Sequence, residues 1–339
     1  MNTLKILTLW VHQKNDLLLN YMKGVVYKST GSWYNVKADN GKMYSCRVKG
    51  RFRIQGIKST NPVSVGDKVF FEEDLSSKDK QTGVIKKIED RKNYIIRKSV
   101  NLSKQTHIIA ANIDRVFLMV TLKDPETSTV FIDRFLATAE AYHIDPILLL
   151  HKFDIYSEEE LNDVRYLASI YQNIGYTCIG TSINPKRNID KVQDLMQGKT
   201  CLFSGHSGVG KSTLINALAP HLDLKTAKIS SQHASGRHTT TFAEMFDVNE
   251  ETQLIDTPGI KGFGLVEMEK EEVGNYFPEF LALKEHCKFN NCIHLKEPGC
   301  AVKEALENNE LSWSRYDSYL QIIASEDDDY RPDIYHQKQ

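Results

Sequence analysis

Gly205-His206-Ser207-Gly208-Val209-Gly210-Lys211-Ser212 decides how the rest of the chain is read. The spacing is G-x-x-x-x-G-K-S, a loop whose glycines let the backbone curl until its N–H groups converge on phosphate oxygens. Its surroundings suit it. Thr200-Cys201-Leu202-Phe203-Ser204 is a short apolar run that reads as a buried strand, and Ser212-Thr213-Leu214-Ile215-Asn216-Ala217-Leu218 reads as the helix behind it. The N-terminus of that helix adds its dipole to the anion site. In such a loop Lys211 reaches the β- and γ-phosphates, and the Ser212 hydroxyl ligates Mg²⁺. A chance glycine-rich turn would not carry strand, loop and helix in register. Residues Ser204 to Ser212 are therefore the expected phosphate site.

Three further segments complete a nucleotide site. Asp256-Thr257-Pro258-Gly259 follows the apolar run Thr252 to Ile255. In this D-x-P-G element Asp256 is expected to hold Mg²⁺ through water, and the Gly259 N–H to meet the γ-phosphate. Gly236-Arg237-His238-Thr239-Thr240-Thr241 lies between the two motifs, and one threonine there must offer its hydroxyl to Mg²⁺. Thr240 is the choice, with Thr239 or Thr241 able to replace it. The same threonines open an expected strand from Thr241 to Val248. His151-Lys152-Phe153-Asp154 follows the apolar strand Ile147-Leu148-Leu149-Leu150 and fits N-K-x-D, the pattern that selects guanine. The Asp154 carboxylate would accept from N1–H and N2–H₂, a donor pair that adenine lacks. His151 stands where asparagine is usual. A neutral imidazole can donate to the base N7 but cannot also accept as an amide does. Guanine preference is thus expected to rest on Asp154, with lower affinity. Thr181-Ser182, after the apolar run Tyr176 to Gly180, fits the last loop, where backbone near a small residue meets the base.

The order is unusual: base motif, second base loop, P-loop, switch I, switch II. An ordinary GTPase begins with the P-loop and ends with the base motifs. The same sheet forms if the chain is cut and rejoined, since domain termini often lie close together. Switch II then leads straight into whatever follows it. This arrangement resembles the circularly permuted GTPases, and among them the RsgA (YjeQ/YloQ) family, from about Met22 to the C-terminus. The resemblance implies a GTPase activated by the small ribosomal subunit, with that subunit and its rRNA as partners, acting late in the subunit's maturation in the cytoplasm.

Cys287-x₄-Cys292-x-His294-x₅-Cys300 places three cysteines and a histidine within fourteen residues. That is the donor set of a closed structural zinc site with no position left for water, so it carries no catalysis. It should hold a lobe too small to fold alone. No secretion signal is read, which argues against a disulfide framework. Cys46, Cys178 and Cys201 are scattered, and the last two lie in apolar strands as packing residues.

The net charge of −1 hides an asymmetry. Met22 to Lys98 holds 18 Lys/Arg and 8 Asp/Glu, or +10; Ser99 to Gln339 holds 23 and 35, or −12. A basic domain on an acidic protein points to a polyanion. That domain reads as β. Tyr34, Val36 and Ala38 alternate with polar residues, Asp39-Asn40-Gly41 is a hairpin turn, and about five short strands fit an OB-type barrel. Lys42 to Lys58 has six basic residues, no acidic one, and Tyr44 and Phe52 interleaved, which favours RNA over a merely solvated face.

The expected organisation is therefore a multidomain α/β protein. Residues 1–21 read as an extension from an upstream start, 22–98 as the OB-type RNA-binding domain, and 99–266 as the circularly permuted, doubly wound GTPase domain. Residues 267–339 read as a zinc-binding helical lobe with an acidic tail. Arg91 to Gln105 reads as a linker, and Val302 to Ala324 as helical. Leu4 to Val11 is apolar but too short to span a bilayer, so no membrane role is expected; the free protein is expected to be monomeric.

The expected chemistry is in-line attack of water on the γ-phosphate of GTP, leaving GDP, with Lys211 and Mg²⁺ meeting the developing charge. The residue after D-x-P-G, often glutamine, is Ile260 here and cannot orient water. His238 is the candidate, and the resemblance points to the same residue. Two rivals stay open: a P-loop ATPase or kinase with an accessory metal lobe, and a non-catalytic RNA binder with a structural nucleotide.

Overall fold

The computed structural model describes residues 21–48, 62–76, 81–98, 106–222, 243–256 and 269–324. The first strands are β1 (Met22–Ser29), β2 (Tyr34–Ala38), β3 (Met43–Val48), β4 (Lys68–Glu73), β5 (Thr82–Ile88), β6 (Tyr94–Lys98) and β7 (Thr106–Ala111). Then come β8 (Arg115–Val120), α1 (Thr129–Ala141), β9 (Asp145–Leu150), α2 (Glu158–Asn173), β10 (Thr177–Gly180), α3 (Ile189–Met196), β11 (Thr200–Ser204) and α4 (Lys211–Leu218). The chain ends with β12 (Glu244–Asp247), β13 (Gln253–Asp256), α5 (Lys270–Val273), α6 (Pro278–Leu283), α7 (Ala301–Glu307) and α8 (Trp313–Ala324). They fall into two compact units that interleave along the chain: 1–115, 191–204 and 218–262 form one, and 116–190, 205–217 and 263–339 the other.

In the first unit β1 to β5 close a five-stranded barrel in the order β1-β2-β3-β5-β4, with β4 pairing back to β1 and β3 running parallel to β5. This is the expected barrel. Strict alternation on β2 turns Tyr34, Val36 and Ala38 inward, onto Val26, Cys46, Phe71 and Ile85. The expected linker 91–105 is instead structured where described: β6 pairs with β7 as an antiparallel hairpin. Its reason is the apolar run Tyr94-Ile95-Ile96, of which Ile95 and Ile96 are buried. The barrel meets this hairpin closely. Gly66 has φ +87°, and a Cβ there would lie 2.1 Å from the Ala111 carbonyl oxygen, so only glycine fits. Half-buried Arg91 forks onto buried Asp67, both bonds 2.6 Å.

The same unit holds β11, parallel to β13, and β12, antiparallel to β13. Strand β12 also meets β1 at Lys28↔Glu244. Around that register Lys28 reaches Glu244 at 2.9 Å, Lys37 reaches Asp247 at 2.7 Å, and the Tyr27 hydroxyl donates to Asp247 at 2.6 Å.

In the second unit β8, β9 and β10 lie side by side in the order β10-β9-β8, with β9 and β10 parallel. Val116 to Val120 and Ile147 to Leu150 are buried throughout, as strands covered on both faces require. Helix α2 starts on a capping box: the Ser157 hydroxyl accepts from the Glu160 N–H, and the Glu160 carboxylate accepts from the Ser157 N–H. Helix α1 packs against α8. There Arg315 reaches Asp133 at 2.7 Å and grips Glu279 at 2.7 and 3.0 Å, while the Tyr171 hydroxyl donates to Asp133 at 2.8 Å. The stretch Val302 to Ala324, read as helical throughout, is two helices. Asn309 sits at φ +60° between them and turns the chain. Among the described residues no helix is long and apolar enough to cross a membrane.

Candidate nucleotide site and metal centre

Three loops of the second unit converge: the P-loop 205–210, the base loop 151–156 and the turn 121–128 after β8. Lys152 is the hub. Its ammonium donates to the Gly208 carbonyl of the P-loop at 3.1 Å and to the Asp124 carbonyl. Lys152 holds φ +65°, a left-handed conformation that a lysine adopts only under constraint. The turn 121–128 is braced in turn. The Tyr156 hydroxyl accepts from the Leu122 N–H and donates to the His151 carbonyl, and Lys123 pairs with Glu160 at 2.6 Å. Phe131, on the first turn of α1, lies against P-loop His206, the rings tilted by 32° with centroids 4.1 Å apart.

His151 is buried, and its Nδ1 lies 2.9 Å from the Thr181 hydroxyl. The other edge of its ring faces the P-loop: a Cβ on Gly210 would sit 3.0 Å from Cδ2 and Nε2. Gly210 has φ +102°, so its conformation favours glycine, and a Cβ there would also crowd the imidazole. The imidazole therefore spans base loop, second base loop and P-loop. Burial pushes its pKa down to about 4, against the pull of Asp154, so the ring is neutral at ordinary pH. Asp154, three residues on in the same loop, is exposed. Thr181 and Ser182 are buried; Ser182 donates to the Pro185 carbonyl at 2.7 Å, and the Asn188 amide closes the loop on the Gly180 carbonyl at 2.6 Å.

In the P-loop Ser207 and Gly208 are exposed, while the Val209 side chain is buried and anchors the turn from below. Lys211 and Ser212 open α4, both partly exposed. Ser204, at the end of β11, is fully buried and its hydroxyl has no partner among the described residues. In the first unit Asp256 is the last residue of β13. Gly259, His238, Thr240 and the rest of 236–241 lie outside the described residues, as does Ile260.

The structure adds groups that the motif reading missed. Asp124, Leu122 and Tyr156 hold the base loop through backbone atoms and a phenol. The only sequence signal is the turn pair Asp124-Pro125 directly after an apolar strand.

Cys287, Cys292, His294 and Cys300 are all buried, with their donor atoms within 4.8 Å of one another. Their Sγ atoms lie 3.7, 3.6 and 3.4 Å from His294 Nδ1. A tetrahedron with zinc–sulfur bonds of about 2.3 Å and a zinc–nitrogen bond of about 2.05 Å has sulfur–nitrogen edges of about 3.6 Å. The donor set thus fits a thiophilic, four-coordinate cation held through Nδ1. Tyr316 and Tyr319 fix the loop between, donating to the carbonyls of His294 and Ile293 at 2.7 and 2.6 Å. Cys46 and Cys201 are buried and Cys178 is half-buried; burial pushes each thiol up to about 12, as suits packing residues.

Residues 88–266 match the model of the RsgA GTPase family, and residues 23–85 that of the RsgA N-terminal domain. The chain belongs to the RsgA GTPase family. It is a GTP hydrolase of that family, with the circularly permuted order its motifs imply. A small ribosomal subunit biogenesis GTPase RsgA from Christiangramia forsetii is 64% identical over 93% of this chain and 99% of its own length. The protein of the same name from Flavobacterium johnsoniae is 59% identical over 93% and 96%. Among solved structures, YjeQ from Thermotoga maritima superposes with a TM-score of 0.72 at 34% identity, covering 89% of this chain and 97% of that one. YloQ, described as a circularly permuted GTPase, gives 0.67 at 30% identity, covering 90% and 94%.

Proposed function

We propose that this chain hydrolyses GTP to GDP and phosphate in association with the small ribosomal subunit and assists a late step of that subunit's maturation. The carrying observation is the Lys152 ammonium on the Gly208 carbonyl, which joins the base-reading loop to the phosphate loop in one site. Asp154 selects guanine from the base-reading loop. Lys211 and the P-loop N–H groups from Gly205 to Gly210 hold the phosphates, and Thr181 and Ser182 close the base side. Asp256 and Gly259 serve the γ-phosphate end by their motif. Ser212 and Thr240 are the ligands for Mg²⁺, which when bound supplies positive charge at the phosphates. His238 orients the attacking water, because Ile260 has no polar atom to do so.

Division of labour follows the expected boundaries: 22–98 for rRNA, 99–266 for GTP, and 267–339 for the metal lobe. The basic excess of 22–98 supports the first of these. Buried thiols with a histidine in tetrahedral array support one structural Zn²⁺ in the last. Metal analysis should give one zinc per chain, and Cys292→Ser should lose it and unfold the lobe.

The decisive test of the function is multiple-turnover GTP hydrolysis with and without purified small subunits. We expect slow turnover alone and at least tenfold stimulation by the subunit. His238→Ala should keep GDP binding yet lose the stimulation. No turnover under either condition would reduce the protein to a nucleotide-dependent binder.

A further inference from the structure

On the second unit a cleft of about 690 Å³ opens between α2, the turn 121–129 and the α7–α8 connection. Its rim carries two large aromatic side chains turned to solvent, Tyr166 at 69% and Trp313 at 53% exposure. Two such rings on one polar rim form the kind of patch that marks an interaction surface. Trp313 meets Tyr316 edge-on, centroids 6.1 Å apart.

The exposed charges of the lining have one sign. Glu126, Asp163 and Glu310 are exposed carboxylates. Among the described lining residues the one cation, Arg315, is buried and already committed to Asp133 and Glu279. Carboxylates beside aromatic faces suit lysine and arginine side chains, by charge-assisted hydrogen bonds and by cation–π contact. The same charges repel a phosphate backbone. The chain's own C-terminal segment also fits poorly: it continues from Ala324 and has five acidic and two basic residues over 325–339.

We propose that this cleft docks an extended Lys/Arg-rich segment of another protein. Every residue of its lining belongs to the second unit, whereas the basic barrel belongs to the first, so nucleic acid and a cationic peptide would be met by different residues. Its inner wall is the turn 121–128 that also holds Lys152.

The test uses the full chain and a fluorescein-labelled twelve-residue peptide alternating Lys and Arg with Gly and Leu, followed by anisotropy. A peptide with Glu in the basic positions and a twelve-nucleotide single-stranded RNA are the comparison probes. We expect Asp163→Lys with Glu310→Lys to weaken the basic peptide at least tenfold and Trp313→Ala at least fivefold. Glu158→Lys with Glu159→Lys, on the exposed first turn of α2 outside the cleft, should leave it within twofold. Fluorescent GDP binding and thermal melts check that each variant is folded. Equal weakening by both charge-reversed pairs would mean general attraction to an acidic surface and overturn the proposal. So would undiminished peptide binding in the cleft variants, or RNA binding that Trp313→Ala reduces.

Discussion

Arg315 and Lys37 each reach from a flanking part of the chain to a carboxylate, and the two contacts are built on opposite terms. Arg315, Asp133 and Glu279 are 3, 0 and 6% exposed, and every bond of the guanidinium is made inside the protein. Lys37 and Asp247 are 31 and 37% exposed, and Lys28 and Glu244 are similar. A buried ion pair gains little net stability but punishes the loss of one partner heavily. A half-exposed pair contributes under about 1 kcal/mol and yields to salt. The first contact is thus a rigid mount for the metal lobe on α1. The second is a weaker clasp, and it grips β12, in the hairpin that connects the segments 236–241 and 256–259 along the chain. A signal from the barrel to those segments would pass through a contact weak enough to change.

Arg315→Leu should be the most damaging change, because it leaves two carboxylates buried without a cation. We expect a loss of about 3–5 kcal/mol, read by hydrogen exchange as a fall in protection across α8. A change under about 1 kcal/mol would show that the mount is no stronger than the clasp.

The pH dependence of His151 ranks next. Its pKa falls from 6.5 to about 4 on folding. The unfolded chain therefore takes up a proton below 6.5 that the native ring refuses. The stability linked to His151 is complete above 6.5 and is lost as the pH falls toward 4, about 3 kcal/mol in all. Thermal unfolding of His151→Asn across that range should show a shallower fall than the parent. Parallel curves would remove His151 as the buried link between the loops.

The smallest effect on stability belongs to the clasp. Asp247→Asn should cost about 0.2–1 kcal/mol at low salt and nothing at 1 M, where the Debye length is about 3 Å. Its larger effect should fall on subunit-stimulated GTP turnover, with unstimulated turnover unchanged. If stimulation survives intact, the clasp is only a seam.

Much of this was legible in the residues. The P-loop, H-K-x-D and cysteine spacings are local patterns, and local patterns survive any rearrangement of the chain. The barrel strands showed in the alternation of Tyr34, Val36 and Ala38. What could not be read was long-range. Nothing in a linear string says that Arg315 meets Asp133, or that the Asp124 carbonyl receives Lys152. The β6–β7 hairpin was missed because its apolar run is three residues long, and the break at Asn309 because periodicity on either side is helical. His151 is expected at the base from its motif, and that its ring also lies between Thr181 and Gly210 is a long-range fact of the same kind.

The most direct test of a single guanine site is a calorimetric titration of the full chain with GTP and with ATP, repeated on Asp154→Asn. We expect GTP to bind at least a hundredfold tighter than ATP, with that preference lost in the variant while the phosphate loop still binds. Equal affinity for GTP and ATP in the unaltered chain, or a preference that Asp154→Asn leaves untouched, would contradict the account.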